Sequence, residues 1–234
     1  MREVMIAIAK GRPWNDSFLY SLMANLLFEQ GNKRYRFHLA VKNQPFTGGE
    51  FEDAKYQRIA EARTELLEEA LSSGMDYVWF LDDDMEFPAN TFRRLSYHNL
   101  PFVSALGFMK KPPFYPTLFK AVSSRDPKTG EIHESYKHIL DYGDDLLEVD
   151  GIGLFCALIK TEAVKKLRKP WFSSPELSAA SHIGEDISFC RRCWEAGVKI
   201  YCDPSIKTGH LDFDNNCLIT ELEFKKWRGG EANV

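Results

Sequence analysis

Asp76-Tyr77-Val78-Trp79-Phe80-Leu81-Asp82-Asp83-Asp84 is the stretch on which the fold of this chain turns. A short, near-continuous apolar run such as Tyr77–Leu81 reads as a central strand covered on both faces. It stops abruptly at three consecutive carboxylates. In open α/β sheets, ligands gather at the carboxyl ends of the strands. Three adjacent carboxylates repel one another there, and a hard cation relieves that repulsion. Mg²⁺ or Mn²⁺ prefers oxygen ligands and takes further oxygens from a substrate phosphate. Asp82 and Asp84, two apart, can both turn toward one ion. The plainer alternative is a solvated turn leading into the helix after Pro88.

Upstream, residues 55–73 carry Ile59, Ala62, Leu66, Leu67, Ala70 and Leu71 as one helical stripe, closed by Gly74. Arg63 falls on the same stripe. A buried guanidinium needs an anionic partner; the alternative is an arginine that snorkels to solvent from the stripe's edge. Before that helix come a buried strand (4–9), a helix (16–30) closed by Gly31 and a second strand (35–42). Downstream, 90–98 reads as a short helix and 102–106 as a strand. Residues 117–122 and 132–139 flank turn chemistry at Arg125-Asp-Pro-Lys-Thr-Gly130, which predicts a hairpin. Then follow an apolar strand (154–159), a helix (185–196) closed by Gly197, and a last strand (198–202). This alternation predicts an α/β fold: one Rossmann-like domain with a mostly parallel central sheet, helices on both faces and a β-hairpin excursion. The domain is expected to span 1–212, with 213–234 a C-terminal tail of little core pattern.

The bulk properties narrow the class. A chain of 234 residues, 44% hydrophobic and 27% charged, buries one good core. A net charge of −4 gives no sign of a nucleic-acid or anionic-membrane partner. The apolar run Val4–Ala9 is too short for a membrane span or a signal-peptide core, so the expected compartment is the cytoplasm. Five cysteines fit free thiols in a reducing compartment. Cys190-x-x-Cys193 has metal-ligand spacing but no second pair, and reads as buried apolar packing.

Tyr77-Val-Trp-Phe-Leu-Asp-Asp-Asp84 resembles the strand and D-x-D motif of GT-A-fold glycosyltransferases, the family-2-like enzymes in particular. Gly184-Glu-Asp186 looks like the family's acceptor-side E-D motif, and His210 is similar to the histidine that completes its metal site. Arg63 matches the arginine in the helix before the D-x-D strand. The resemblance runs from about Val4 to Asp212. It implies a Mn²⁺- or Mg²⁺-dependent enzyme that uses a UDP- or GDP-sugar donor and transfers with inversion. Asp82 and Arg63, with Asp83, would serve the donor; Asp82, Asp84 and His210 the metal; Asp186, beside Glu185, the acceptor proton. The acceptor, whether saccharide, lipid-linked or protein, is left open.

The chemistry of the residue types agrees with that assignment. Sugar transfer passes through an oxocarbenium-like state and needs a carboxylate to take the acceptor proton. Glu185 and Asp186 equally suit a helix N-terminus, where acidic side chains complement the dipole. Trp171 and Phe172 either stack on an acceptor sugar or pack in the core beside Pro170. Gly153 marks either a close approach of backbone to the donor or a bulge. Two other functions compete. A sugar-phosphate nucleotidyltransferase needs a Gly-rich loop after the first strand, of which Lys10-Gly-Arg-Pro13 is a faint echo. A non-catalytic nucleotide- or carbohydrate-binding module needs the fold without both Asp84 and Asp186.

Overall fold

The computed structural model describes residues 1–43, 52–125, 132–172 and 184–231. The first half contains β1 (Arg2–Lys10), α1 (Asp16–Phe28), β2 (Tyr35–Asn43), α2 (Glu52–Ser72), β3 (Tyr77–Asp82), β4 (Met85–Glu86), α3 (Thr91–Tyr97) and β5 (Phe102–Leu106). The hairpin strands β6 (Leu118–Arg125) and β7 (Ile132–His138) follow, then β8 (Leu147–Val149), β9 (Gly151–Ile152), β10 (Cys156–Lys160) and α4 (Thr161–Val164). The chain continues through α5 (Glu185–Glu195), β11 (Ile200–Lys207), β12 (Gly209–Asp212), β13 (Cys217–Ile219) and α6 (Glu221–Glu231).

Seven strands form the main sheet in the order β2-β1-β3-β10-β5-β11-β8. β1, β2, β3, β5 and β11 run in one direction, and β10 and β8 run against them. The sheet is mostly parallel, as the strand–helix alternation predicts. Every residue of Tyr77–Leu81 is buried, because β3 feeds two cores. Val78 and Phe80 point to the face packed by Leu66, Leu67 and Ala70 of α2 and by Phe189, Cys190 and Cys193 of α5. Tyr77, Trp79 and Leu81 point to the other face, against Phe18 and Leu22 of α1 and Phe92 and Leu95 of α3. The period of two along a strand divides one apolar run between two layers. Trp79, wholly buried, meets Phe87 and Phe92 at ring-centroid distances of 5.8 and 5.3 Å. A buried aromatic of this kind contributes about 3–5 kcal/mol relative to alanine.

Glycines close α1, α2 and α5 as the sequence expects. Gly31, Gly74 and Gly197 sit at φ of +87°, +70° and +68°, the left-handed region that only glycine adopts without cost. At its start, α1 is capped by Asn15, whose side chain accepts from the Ser17 and Phe18 N–H groups. The hairpin excursion is present: β6 and β7 pair antiparallel, Phe119 opposite His138 through Arg125 opposite Ile132. Its turn lies outside the described residues, as does the loop between Phe172 and Gly184.

Residues 213–231, in the stretch expected to carry little core pattern, are structured. β13 pairs with β12, and Phe224 of α6 is buried beside Phe108 and Tyr115. A capping box starts α6: the Glu223 carboxylate accepts from the Thr220 N–H at 2.9 Å, and the Thr220 hydroxyl accepts from Leu222 N–H at 3.2 Å. The Thr-x-x-Glu signal was there in the sequence. What the sequence lacked was an apolar stripe, since one buried residue anchors this helix.

Candidate functional site

Three parallel strands end at one cleft. β1 delivers Gly11 and Arg12, β3 delivers Asp82, Asp83 and Asp84, and the chain after β5 delivers Lys110. With Ile59, Arg58, Arg63, Glu185 and His210 they line a cavity of about 260 Å³. This is the carboxyl edge of the sheet, where ligands of such folds gather.

On one side the cleft is closed by a buried ion-pair chain. Arg63 of α2 donates to the Asp82 carboxylate at 2.7 Å and to the Glu185 carboxylate at 2.6 Å. Its side chain is only 4% exposed. The snorkelling alternative is thereby excluded, and the stripe residue has its anionic partners. Burial pushes the Glu185 carboxyl up and Arg63 pulls it back; contact at 2.6 Å is the geometry of an ionised pair. Glu185 therefore holds the arginine, and through it Asp82.

The other side is built differently. β12 pairs with β4, with His210 opposite Met85, and Leu211 N–H donates to the Asp84 carbonyl at 2.8 Å. Those backbone contacts bring His210 to Asp84 across more than a hundred residues of chain. His210 Nδ1 lies 2.9 Å from the Phe108 carbonyl oxygen, which only accepts, so Nδ1 carries the proton and Nε2 is left facing Asp84. Nε2 stands 3.4 Å from Asp84 Oδ1. That oxygen is buried and makes no hydrogen bond among the described residues. The Lys110 ammonium pairs with the other oxygen, Oδ2. Burial acts to raise the Asp84 carboxyl, but the charge of a protonated His210 and of the Lys110 ammonium outweighs it and holds the group below the usual carboxylate range.

Among the described residues, no group of three or more His, Cys, Asp or Glu side chains forms a metal cluster. Asp82, expected to share an ion with Asp84, is turned to Arg63 instead. Of the expected metal ligands, Asp84 and His210 are the two that face each other. An orphaned carboxylate oxygen beside an imidazole nitrogen fits a cation that keeps its remaining positions for water and phosphate oxygens, as Mg²⁺ and Mn²⁺ do.

Asp83 has a third role. Its Oδ2 accepts from the Gly11 and Arg12 N–H groups at 3.2 Å each, which ties the β1–α1 loop to the end of β3. Burial, helped by the neighbouring Asp84 charge, raises its carboxyl to about 6. Asp186 lies at the start of α5, where its Oδ1 accepts from the Ile187 N–H at 2.7 Å. Burial also raises this carboxyl, against the pull of Arg63.

Three expected site residues lie elsewhere. Phe172 is fully buried and stacks on Phe189 at 4.7 Å, and Trp171 is buried beside it; neither offers a ring to an acceptor sugar. Gly153 makes a close approach to a side chain: a Cβ there would stand 2.6 Å from the Phe155 ring, which also packs on Gly107. Cys190 and Cys193 are buried free thiols, as their apolar surroundings require. Lys110 and Arg58 were not singled out in the sequence, and Arg12 entered only within the Lys10-Gly-Arg-Pro13 loop. Lys110 carried a usable signal, a basic residue soon after a parallel strand.

No family model matches the chain, and no curated protein matches it. Among solved structures, A197 from STIV is similar over 94% of this chain and 94% of its own, with 17% identity and a TM-score of 0.56. The two chains share a fold. Weaker likenesses are to a Bacillus anthracis protein assigned as a glucose-1-phosphate thymidylyltransferase and to a glycosyltransferase that acts in glycosylation of the PBCV-1 major capsid. The first has 11% identity and a TM-score of 0.43 over 100% of this chain and 96% of that one. The second has 14% identity and a TM-score of 0.30 over 75% and 71%. No helix among the described residues is long and apolar enough to cross a membrane.

Proposed function

We propose that this chain is a divalent-metal-dependent glycosyltransferase that moves a sugar from a UDP- or GDP-sugar to an acceptor hydroxyl, with inversion. One observation carries the reading: a buried Asp84 oxygen that makes no hydrogen bond among the described residues faces His210 Nε2 at the carboxyl edge of the sheet. The resemblance of the D-x-D strand, the Gly-Glu-Asp segment and the trailing histidine to family-2-like enzymes supports it.

Asp84 and His210 would hold Mn²⁺ or Mg²⁺, which would offset the charge of the departing nucleoside diphosphate. Lys110, Arg12 and Arg58 bring further positive charge to the same cleft. Arg63 fixes the rotamer of Asp82, whose side chain stays 31% exposed and open to the nucleotide. Asp186 is the acceptor-side base. Its carboxyl, raised by burial, is a stronger proton acceptor than a solvated aspartate. As Asp186 takes the hydroxyl proton, the acceptor oxygen bonds to the anomeric carbon and the bond to the diphosphate oxygen breaks.

Asp83 weighs against a nucleotidyltransferase. Such an enzyme cradles a triphosphate on backbone N–H groups after the first strand. Here the Gly11 and Arg12 N–H groups are already taken by the Asp83 carboxylate.

Thermal unfolding with UDP, GDP and their sugar conjugates, with and without Mn²⁺, tests the proposal. A ligand that binds only the folded state raises Tm according to its affinity, by about 2.7 kcal/mol of stability at a hundredfold excess over Kd. The expected result is stabilisation by one nucleotide only with metal, abolished by Asp84→Ala. If no nucleotide shifts the wild type under any metal condition, the proposal fails. Nucleotide binding without release of nucleoside diphosphate in the presence of acceptors would point to a binding module.

A further inference from the structure

α1 is apolar on its outer face as well as on the face that packs Phe18 and Leu22 into the core. Between Asp16 and Glu29 it carries no charged residue. Two of its inward residues are polar and fully used: Asn25 donates to the Pro88 carbonyl and accepts from Phe92 N–H, and Ser21 Oγ accepts from Phe87 N–H. Its outward residues are apolar. Tyr20, Met23, Leu27 and Phe28 are 70%, 56%, 63% and 42% exposed. A surface helix ordinarily carries polar and charged residues on its outer face, and a contiguous apolar face of this kind marks an interaction surface.

What adjoins that face indicates its partner. The Arg93 guanidinium sits 4.2 Å over the Phe28 ring, where α1 ends. Arg93 in turn lines, with Arg2, Lys33 and Arg34, a cleft of about 910 Å³ that has no carboxylate among its lining residues. Arg93 is paired with Glu29. The Lys33 and Arg34 side chains have no ion-pair partner among the described residues. Tyr97, 87% exposed, lies at the same cleft.

We propose that the outer face of α1 and the Arg2–Lys33–Arg34–Arg93 cleft together dock this protein on an anionic lipid surface. Apolar side chains enter the headgroup boundary, and the basic cleft receives headgroup phosphates. Aromatic residues with polar edges, such as Tyr20 and Tyr97, suit that boundary. The net charge of −4 does not oppose this, because charges beyond a Debye length of about 8 Å are screened and the local patch decides.

Co-sedimentation of the full chain with phosphatidylcholine vesicles, with and without phosphatidylglycerol, tests this independently of any transferase activity. The wild type is expected to pellet with the anionic vesicles only, less so as salt rises. Leu27→Glu is expected to abolish pelleting with Tm unchanged, since its side chain touches mainly solvent. Lys33→Ala with Arg34→Ala is expected to weaken binding by about 25-fold, at about 1 kcal/mol or 5-fold per charge. Three outcomes overturn the proposal: no pelleting of the wild type, variants that bind as the wild type does, or a concentration-dependent dimer in sedimentation equilibrium that Leu27→Glu dissociates.

Discussion

Asp82 and Asp84 stand two residues apart at the end of one strand, yet the two sides of the cleft they face are made to different rules. On the Asp82 side, Arg63 and Glu185 complete a chain of charges in which each member of the pair has its partner. On the Asp84 side, His210 and Lys110 surround a carboxylate that retains one buried oxygen with no hydrogen bond. A completed network holds a structure together, and removing one member leaves uncompensated charge. An incomplete one has a valence to offer. The difference separates the residues that position this site from those that meet a ligand.

The largest expected effect breaks the completed side. Arg63→Met leaves the Asp82 and Glu185 carboxylates without their cation and should cost about 3–5 kcal/mol, read from urea unfolding. A loss below about 1 kcal/mol would mean that this side is not a structural network at all. Next comes the incomplete side, where stability and binding should part company. Asp84→Asn or His210→Ala should weaken Mn²⁺-dependent nucleotide binding by about 100-fold, near 2.7 kcal/mol, while lowering the stability of the metal-free protein by less than Arg63→Met does. Titration calorimetry against Mn²⁺ and nucleotide measures the first, urea unfolding the second. If Asp84→Asn destabilised the free protein as much as Arg63→Met, the contrast between the two sides would collapse.

A third test asks whether Gly153 belongs to packing or to the donor. Gly153→Ala drives a methyl into Phe155 and should cost about 1–3 kcal/mol while nucleotide affinity is retained. Lost affinity at unchanged stability would return it to the site. The smallest effect is a slope, measured in metal-free buffer. The Asp83 carboxyl is raised in the folded state, to about 6 from an ordinary 3.8, so the folded protein holds that proton more tightly than the unfolded one. The stability it contributes is present below pH 3.8 and is lost as pH rises through about 6. Asp83→Asn keeps an acceptor for the Gly11 and Arg12 N–H groups and should flatten that decline between pH 4 and 6.5.

Much of the fold was legible because β3 states both its burial and its end in nine residues. The helices announced themselves by apolar stripes and closing glycines, and Gly31, Gly74 and Gly197 took the predicted backbone. The hairpin was readable from its turn residues. α6 was not, for it has a capping box but only Phe224 as a buried anchor. The small sheet of β4, β12 and β13 was equally silent, because strands of two to four residues have no period to detect. At the site, residue type singled out the carboxylates and Arg63, and the family resemblance singled out His210. It could not distinguish Trp171 and Phe172 as core from Trp171 and Phe172 as a sugar platform, since both uses want the same large aromatic side chain.

By itself, the sequence determined the α/β layering and the place of the acidic strand end, because hydrophobic periodicity and chain order are local properties. Which carboxylate is satisfied and which is not was decided only by tertiary structure. Arg63, Asp82 and Glu185 come from α2, β3 and α5; Asp84, Lys110 and His210 come together through the pairing of β4 with β12 and the turn after β5. A charge is neutralised by whatever lies within a few ångströms of it, and only the folded chain sets those distances.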